Sequence, residues 1–179
     1  MSEENFQRAE GKVQISHEQI QARVKELGKQ ISKDYQGQDI HVICVLNGAF
    51  LFMADLVRAI DLPLTVDFIS LSSYGSRTQT SGEVQIQKDL NFSLKHKNVL
   101  IVEDIVDTGY TMSYLLKYIE MREPDTVKIA SLISKPSRRE VDVEIDYLGF
   151  EIEDAFIFGY GLDDQQYKRN YPFISSYKD

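Results

Sequence analysis

The thirteen residues Val99 to Thr111, VLIVEDIVDTGYT, constrain this chain more than any other stretch. The first four are apolar and mostly β-branched, with the length and character of a buried strand. Two carboxylates, Glu103 and Asp104, follow at once. After Ile105 and Val106 comes Asp107-Thr108-Gly109-Tyr110-Thr111, a composition that turns the chain. Met112, Leu115, Leu116 and Ile119 then recur at helical spacing. The segment reads as strand, tight loop, helix. In an open parallel sheet a ligand sits at such a junction, because backbone N–H groups of the loop and helix N-terminus face an anion.

Thr108, Gly109 and Thr111 are what a phosphate cradle needs. Glycine lets the backbone approach an oxyanion, and the threonines donate hydrogen bonds. The adjacent carboxylates would repel the same phosphate unless they hold a divalent cation or accept hydrogen bonds from sugar hydroxyls. The ligand expected here therefore carries both a phosphate and a diol.

The rest of the chain supplies strands and helices around this junction. Ser16 and Gln19 form a capping-box pattern with Ile15 and Ile20 as a hydrophobic staple, and Ile20, Val24, Leu27 and Ile31 make one apolar face of a helix from Ser16 to Lys33. Ile40 to Leu46 is a buried strand, Asn47-Gly48 turns the chain, and Phe50 to Ile60 is a second helix. Strands are expected at Leu64 to Leu71, Glu83 to Leu90, Val127 to Ile133, more weakly at Val141 to Ile145, and at Phe156 to Tyr160. This alternation implies an α/β fold with an open, mainly parallel twisted sheet, helices on both faces, and a small flanking lobe. At 179 residues, a single domain suffices to bury roughly 70% of the unfolded surface. Its core is expected over about 38–160, with a hood from the N- and C-terminal segments.

Charge and composition exclude several classes. A net charge of −8 argues against broad nucleic-acid binding, which needs a basic face. No apolar run approaches the ~20 residues of a membrane span. The opening MSEENFQRAEGK is acidic and polar, unlike a secretory leader. The lone Cys44 sits in an apolar run, as a small core residue of a reducing, cytoplasmic compartment would. His17, His41 and His96 are scattered without metal-ligand spacing.

The acidic motif resembles the binding signature of the type I phosphoribosyltransferases. VLNGAF, SSYGS, SLISKPSRR and FIFGYGLDD, in that order around it, resemble the hypoxanthine-guanine branch. The resemblance covers nearly all of Ile40 to Arg169. It implies transfer of a phosphoribosyl group from phosphoribosyl pyrophosphate to a 6-oxopurine, with Mg2+ as cofactor, a purine base as second substrate, and a homodimer or homotetramer. By the same resemblance Glu103 and Asp104 serve the ribose hydroxyls and metal, and Asp107 to Thr111 grip the 5′-phosphate, Tyr110 through its backbone only. Asp107 is implied as the general base at purine N7, adequate because bond formation at N9 acidifies that proton. Leu46, Asn47 and Gly48 would bind pyrophosphate through backbone N–H groups, often across a cis peptide between the first two. Many relatives carry Lys where this chain has Asn47, a change that backbone recognition survives. Arg169 is implied as a further pyrophosphate contact, and Asp163 as a purine-site residue and ligand of a second magnesium shared with pyrophosphate. Ser73 and Tyr74 would begin a lid running to Gly82. Lys135 would donate to the purine 6-oxygen and so reject adenine, whose amino group is itself a donor. Phe156 would stack on the base and Ile157 offer backbone hydrogen bonds.

Two other classes compete. A nucleotide-sensing regulatory protein could keep this fold without turnover, but the acidic charge and the full set of base-site residues count against it. An aspartate-nucleophile phosphatase usually spaces two aspartates two apart, whereas Asp104 and Asp107 are three apart.

Overall fold

Strand β1 (Gly11–Ile15) gives way to helix α1 (His17–Asp34) at Ser16. The Ser16 hydroxyl accepts the Gln19 amide, and the Gln19 side chain accepts the Ser16 amide at 2.8 Å. This reciprocal cap satisfies two N–H groups that a helix start otherwise leaves unpaired. Ile20, Val24, Leu27 and Ile31 line its buried face. Helix α2 (Phe50–Ala59) meets α1 at Gly28, where an added Cβ would lie 2.6 Å from the Ala59 methyl. Only glycine permits that approach. The computed structural model describes residues 11–74 and 83–177.

The main sheet is built from β2 (Ile40–Leu46), β3 (Leu64–Tyr74), β4 (Glu83–Lys88), β5 (Asn98–Val106), β6 (Thr126–Ser134) and β7 (Tyr147–Glu151). Their order is β4-β3-β2-β5-β6-β7. Every neighbouring pair is parallel except β3 with β4. Alternation along β2 divides the core. Val42 and Cys44 join the layer containing Ile20, Leu27, Phe52 and Leu56 of α1 and α2. Ile43 and Val45 join the opposite layer with Met112, Leu115 and Ile119 of helix α3 (Tyr110–Glu120). The central strands are therefore buried on both sides, which is why they read as unbroken apolar runs. The α/β architecture with helices on both faces is as the sequence implies. Among the described residues no helix is long and apolar enough to cross a membrane.

A second sheet, order β1-β9-β8, joins β1 to β9 (Ile174–Tyr177) and β8 (Ile157–Phe158), all antiparallel. Two of its strands come from the ends of the described chain, and the third from within the 38–160 stretch.

Three local expectations need correction. Val141 to Ile145 is not a strand, and β7 begins instead at Tyr147. The Asp146 carboxylate accepts the Ile129 amide at 2.8 Å, so a side chain holds the edge of β6 just before pairing starts at Ala130 with Tyr147. The amides of Glu140 and Val141 are meanwhile given to Thr108 O. The strand expected over Phe156 to Tyr160 shrinks to Ile157–Phe158, because Gly159 (φ 101°) and Tyr160 (φ 49°) turn left-handed. The strand carrying the acidic motif runs beyond its four-residue apolar start to Val106, so Glu103 and Asp104 lie within it.

Candidate active site

The carboxyl ends of the parallel strands share one edge of the sheet, where helix N-termini and loops gather. Three loops close on one another there. At the end of β2 the Leu46–Asn47 peptide is cis. A Cβ on Gly48 would overlap Asp104 Oδ2 and lie 2.5 Å from Asp104 Cγ. A Cβ on Gly161 (φ 100°) would in turn overlap the Gly48 carbonyl oxygen. The β2 loop is thus wedged between the acidic strand and the C-terminal loop, with no room for a side chain on either contact.

Glu103 is 7% exposed, and its Oε1 accepts the Asp104 amide at 2.9 Å. Burial pushes its carboxyl well above the usual carboxylate range, and the neighbouring Asp104 charge pushes the same way. Asp104, half-buried, accepts the Ile105 amide at 2.7 Å. Two crowded carboxylates with hard oxygen donors suit magnesium, a cation that typically takes one or two protein carboxylates and completes its shell with water and substrate oxygens. Among the described residues no group of three His, Cys, Asp or Glu side chains could hold a metal without such help. Asp163 is differently placed. Its carboxylate is 2.9 Å from Arg169 Nη2 and accepts the Gln166 amide at 2.8 Å, and Arg169 Nη1 donates to Gly161 O at 2.8 Å. A guanidinium already neutralises it, so its donor chemistry fits a cation less well than that of the Glu103–Asp104 pair.

Beyond β5, Glu103, Asp107, Thr108, Gly109 and Thr111 line a small cavity of about 80 Å³. Gly109 adopts φ 94° and caps α3. A side chain there would be strained, and would also strike the Val141 carbonyl. Helix α3 makes its first hydrogen bond from Ser113 N to Gly109 O. Earlier N–H groups of the turn, at Tyr110, Thr111 and Met112, therefore have no intrahelical acceptor and favour an anion. The Tyr110 side chain points elsewhere, its hydroxyl donating to Glu140 at 3.2 Å.

Lys135 follows β6 and is only 7% exposed, not the solvated surface lysine its loop position would suggest. Its ammonium donates to Ala155 O at 2.7 Å and lies 3.7 Å from Asp154. Phe156 is outside the core, 58% exposed, and its ring lies nearly parallel to that of Tyr177 with centroids 6.2 Å apart. Ile157 is buried in β8, the outer strand of the small sheet, with one backbone edge paired to β9 and the other bordering no strand among the described residues. Asp107 Oδ1 lies 2.8 Å from Arg138 Nε, a charge contact that is not an aligned hydrogen bond.

Ser73 and Tyr74, expected to open the lid, are instead the last residues of β3, paired with Val84 and Glu83. The rest of the expected lid, over 75–82, lies outside the described residues. Sequence reasoning missed Arg138, Arg139 and Asp154. Arg139 turns inward, its Nη2 donating to Ser134 Oγ at 2.9 Å and Val106 O at 3.2 Å beneath the loop of Asp107 to Thr111. The signal was the paired arginines of the basic loop, but nothing in one dimension distinguishes them from a solvated run.

Residues 14–165 match the family model of the phosphoribosyl transferase domain. The hypoxanthine-guanine phosphoribosyltransferase of Bacillus subtilis is 48% identical over 167 residues, 93% of each chain. The hypoxanthine phosphoribosyltransferase of Haemophilus influenzae is 48% identical over 165 residues, covering 90% of this chain and 92% of its own. Among solved structures, a hypoxanthine-guanine phosphoribosyltransferase from Bacillus anthracis superposes with a TM-score of 0.90 at 47% identity, over 93% of this chain and 98% of that one. A hypoxanthine phosphoribosyltransferase from Staphylococcus aureus gives 0.93 at 40%, over 99% and 97%.

Proposed function

The chain belongs to the phosphoribosyltransferase family, in its hypoxanthine-guanine branch, and on that footing we propose a purine-salvage reaction. The 5-phosphoribosyl group of phosphoribosyl pyrophosphate passes to N9 of hypoxanthine or guanine, giving IMP or GMP and pyrophosphate. The whole of 1–179 acts as one phosphoribosyltransferase domain.

In this reading the first turn of α3 with Thr108 and Thr111 binds the 5′-phosphate, and Glu103 and Asp104 bind the ribose diol. The backbone of Leu46, Asn47 and Gly48, with Arg169, holds the pyrophosphate. As the C1′–oxygen bond to pyrophosphate breaks, N9 bonds to C1′ and the N7 proton passes to Asp107. Glu103 and Asp104 would hold magnesium, which when bound neutralises charge on the leaving pyrophosphate. Lys135 has three ammonium donors, and one engages Ala155 O. Another can reach the purine 6-oxygen, while Phe156 offers an aromatic face and the outer edge of β8 at Ile157 offers backbone groups.

The burial of Lys135, held by the loop that presents Phe156, carries the acceptor half of this proposal. Desolvated there, the ammonium attracts a carbonyl and penalises adenine's opposed donor by several kcal/mol. The test compares hypoxanthine, guanine, xanthine and adenine against one phosphoribosyl donor with magnesium, reading pyrophosphate release. Turnover with a 6-oxopurine and none with adenine is expected. Binding without release for all four would favour the regulatory alternative.

The exposed aromatics Phe50, Phe68, Tyr110 and Tyr114 support a homodimer or homotetramer, to be measured by analytical ultracentrifugation. The single buried thiol supports a cytoplasmic setting.

A further inference from the structure

Four side chains with alternating charge run from the base-selecting lysine to the proton acceptor. Lys135 Nζ is 3.7 Å from Asp154 Oδ1. Arg138 Nη1 lies 3.3 Å from both Asp154 oxygens, and Arg138 Nε lies 2.8 Å from Asp107 Oδ1. We infer that Asp154 is a positioning residue: it fixes Lys135 for the base and, through Arg138, fixes Asp107 for proton transfer. The inference rests on the proposed function, since it acts through Lys135 and Asp107.

Local backbone geometry makes the arrangement possible. Lys135 is followed by a single 3-10 turn, Pro136–Arg138, closed by the Arg138 amide on Lys135 O at 3.1 Å. The turn sets Lys135 and Arg138, three apart in sequence, within reach of the same carboxylate, while Arg139 turns to Ser134 and Val106. Asp154 stands where both can reach it. The next two residues act on the same pocket, because Ala155 O takes the Lys135 ammonium and Phe156 presents its ring. One short segment therefore sets the ammonium, the aromatic face and, through Arg138, the base.

Stability does not account for the Asp154–Arg138 link. Asp154 is 52% exposed and Arg138 44%, and exposed ion pairs contribute little to folding. Geometry is what they can contribute. Arg138 divides its guanidinium between two carboxylates, which holds Asp107 by one edge. Without Asp154, the guanidinium has Asp107 as its sole carboxylate partner among the contacts described above, and Lys135 keeps only a carbonyl. Both reacting groups then lose their bearing on the purine, while the phosphoribosyl pyrophosphate contacts at Glu103, Thr108 and Thr111 are untouched.

The experiment is steady-state kinetics of wild type, Asp154→Asn, Asp154→Glu and Arg138→Met, varying hypoxanthine and phosphoribosyl pyrophosphate separately. Wild-type turnover is the control: its absence would strike at the proposed function and not at this inference. Asp154→Asn should lower kcat/KM for hypoxanthine about tenfold or more, with KM for phosphoribosyl pyrophosphate within about twofold. Asp154→Glu should restore most of that loss. Arg138→Met should lower kcat with little change in either KM. Wild-type purine kinetics in Asp154→Asn, an equal rise of both KM values, or no recovery in Asp154→Glu would each overturn the inference. Unchanged kcat in Arg138→Met would overturn the link to Asp107.

Discussion

Gly48→Ala tests the donor half of the site at its tightest point. The new methyl would lie 2.5 Å from Asp104 Cγ and overlap Oδ2, where nonbonded carbons normally stand about 3.5–4.0 Å apart. The carboxyl group must retreat by roughly 1–1.5 Å. It cannot do so freely, because Oδ1 receives the Ile105 amide at 2.7 Å. Nor can the Gly48 backbone move aside, because Gly161 is packed against its carbonyl. Losing that hydrogen bond to a charged acceptor costs about 1.5–3 kcal/mol, which a folded domain survives. Activity should suffer more. Misplacement of a binding group by about 1 Å costs on the order of a hundredfold, or about 2.7 kcal/mol of transition-state stabilisation. The assay varies phosphoribosyl pyrophosphate at saturating hypoxanthine and follows the thermal midpoint in parallel. A double variant completes it: with Asp104→Ala present the overlap vanishes, so Gly48→Ala should then add little. A folded Gly48→Ala enzyme within threefold of wild type, or losses that multiply in the double variant, would refute the reasoning.

Asp107→Asn should lower kcat by about 10²–10⁴ while KM for phosphoribosyl pyrophosphate moves little, as expected for loss of a general base; undiminished turnover would remove Asp107 from that role. Lys135→Ala should lower kcat/KM for hypoxanthine about a hundredfold, as loss of a buried charged donor implies, and unchanged purine kinetics would place the lysine outside the site. EDTA should abolish turnover and added magnesium restore it, so sustained activity in chelator would overturn the assignment at Glu103 and Asp104. Burial pushes the Cys44 thiol up to about 12, so it stays protonated at pH 8 as well as enclosed. Iodoacetamide should leave the native protein unlabelled at that pH and label it once in urea; native labelling would contradict the packing of β2.

What was legible in the sequence was local. Ile40–Leu46 is recovered residue for residue because its apolar run is bounded by Asp39 and Asn47. The start of α1 is recovered because Ser16 and Gln19 carry their own hydrogen-bond partners. Errors arise where a distant group decides the outcome. Val141 to Ile145 alternates like a strand, yet the Asp146 side chain and Thr108 O claim the positions a strand would need. Strands β1 and β9 are short and pair across most of the chain, so neither is visible until the other is present. Arg138 and Arg139 are adjacent and alike in charge. One meets Asp107 and Asp154 while the other packs under the loop at Val106, a division set by three-dimensional neighbours.

The same contrast bears on how an acidic protein can hold a polyanionic donor. A net charge of −8 would repel it at long range, but screening confines that repulsion to about 8 Å at physiological ionic strength. Inside that distance the local groups decide. The N–H groups of Tyr110, Thr111 and Met112 at the start of α3 have no intrahelical acceptor. Arg139 lies beneath the loop of Asp107 to Thr111, and Arg169 sits beside the wedge of Gly48 and Gly161. Gly48, Gly109 and Gly161 occupy contacts with no space for a side chain, so the backbone itself forms the wall. On the proposed reading, recognition by backbone needs no excess of lysine, so Asn47 at this loop forfeits little binding. It follows that Asn47→Lys should lower KM for phosphoribosyl pyrophosphate by less than about tenfold, an exposed charge adding only about 0–1 kcal/mol. A larger gain would mean that side-chain charge, rather than the packed backbone, limits binding at this loop.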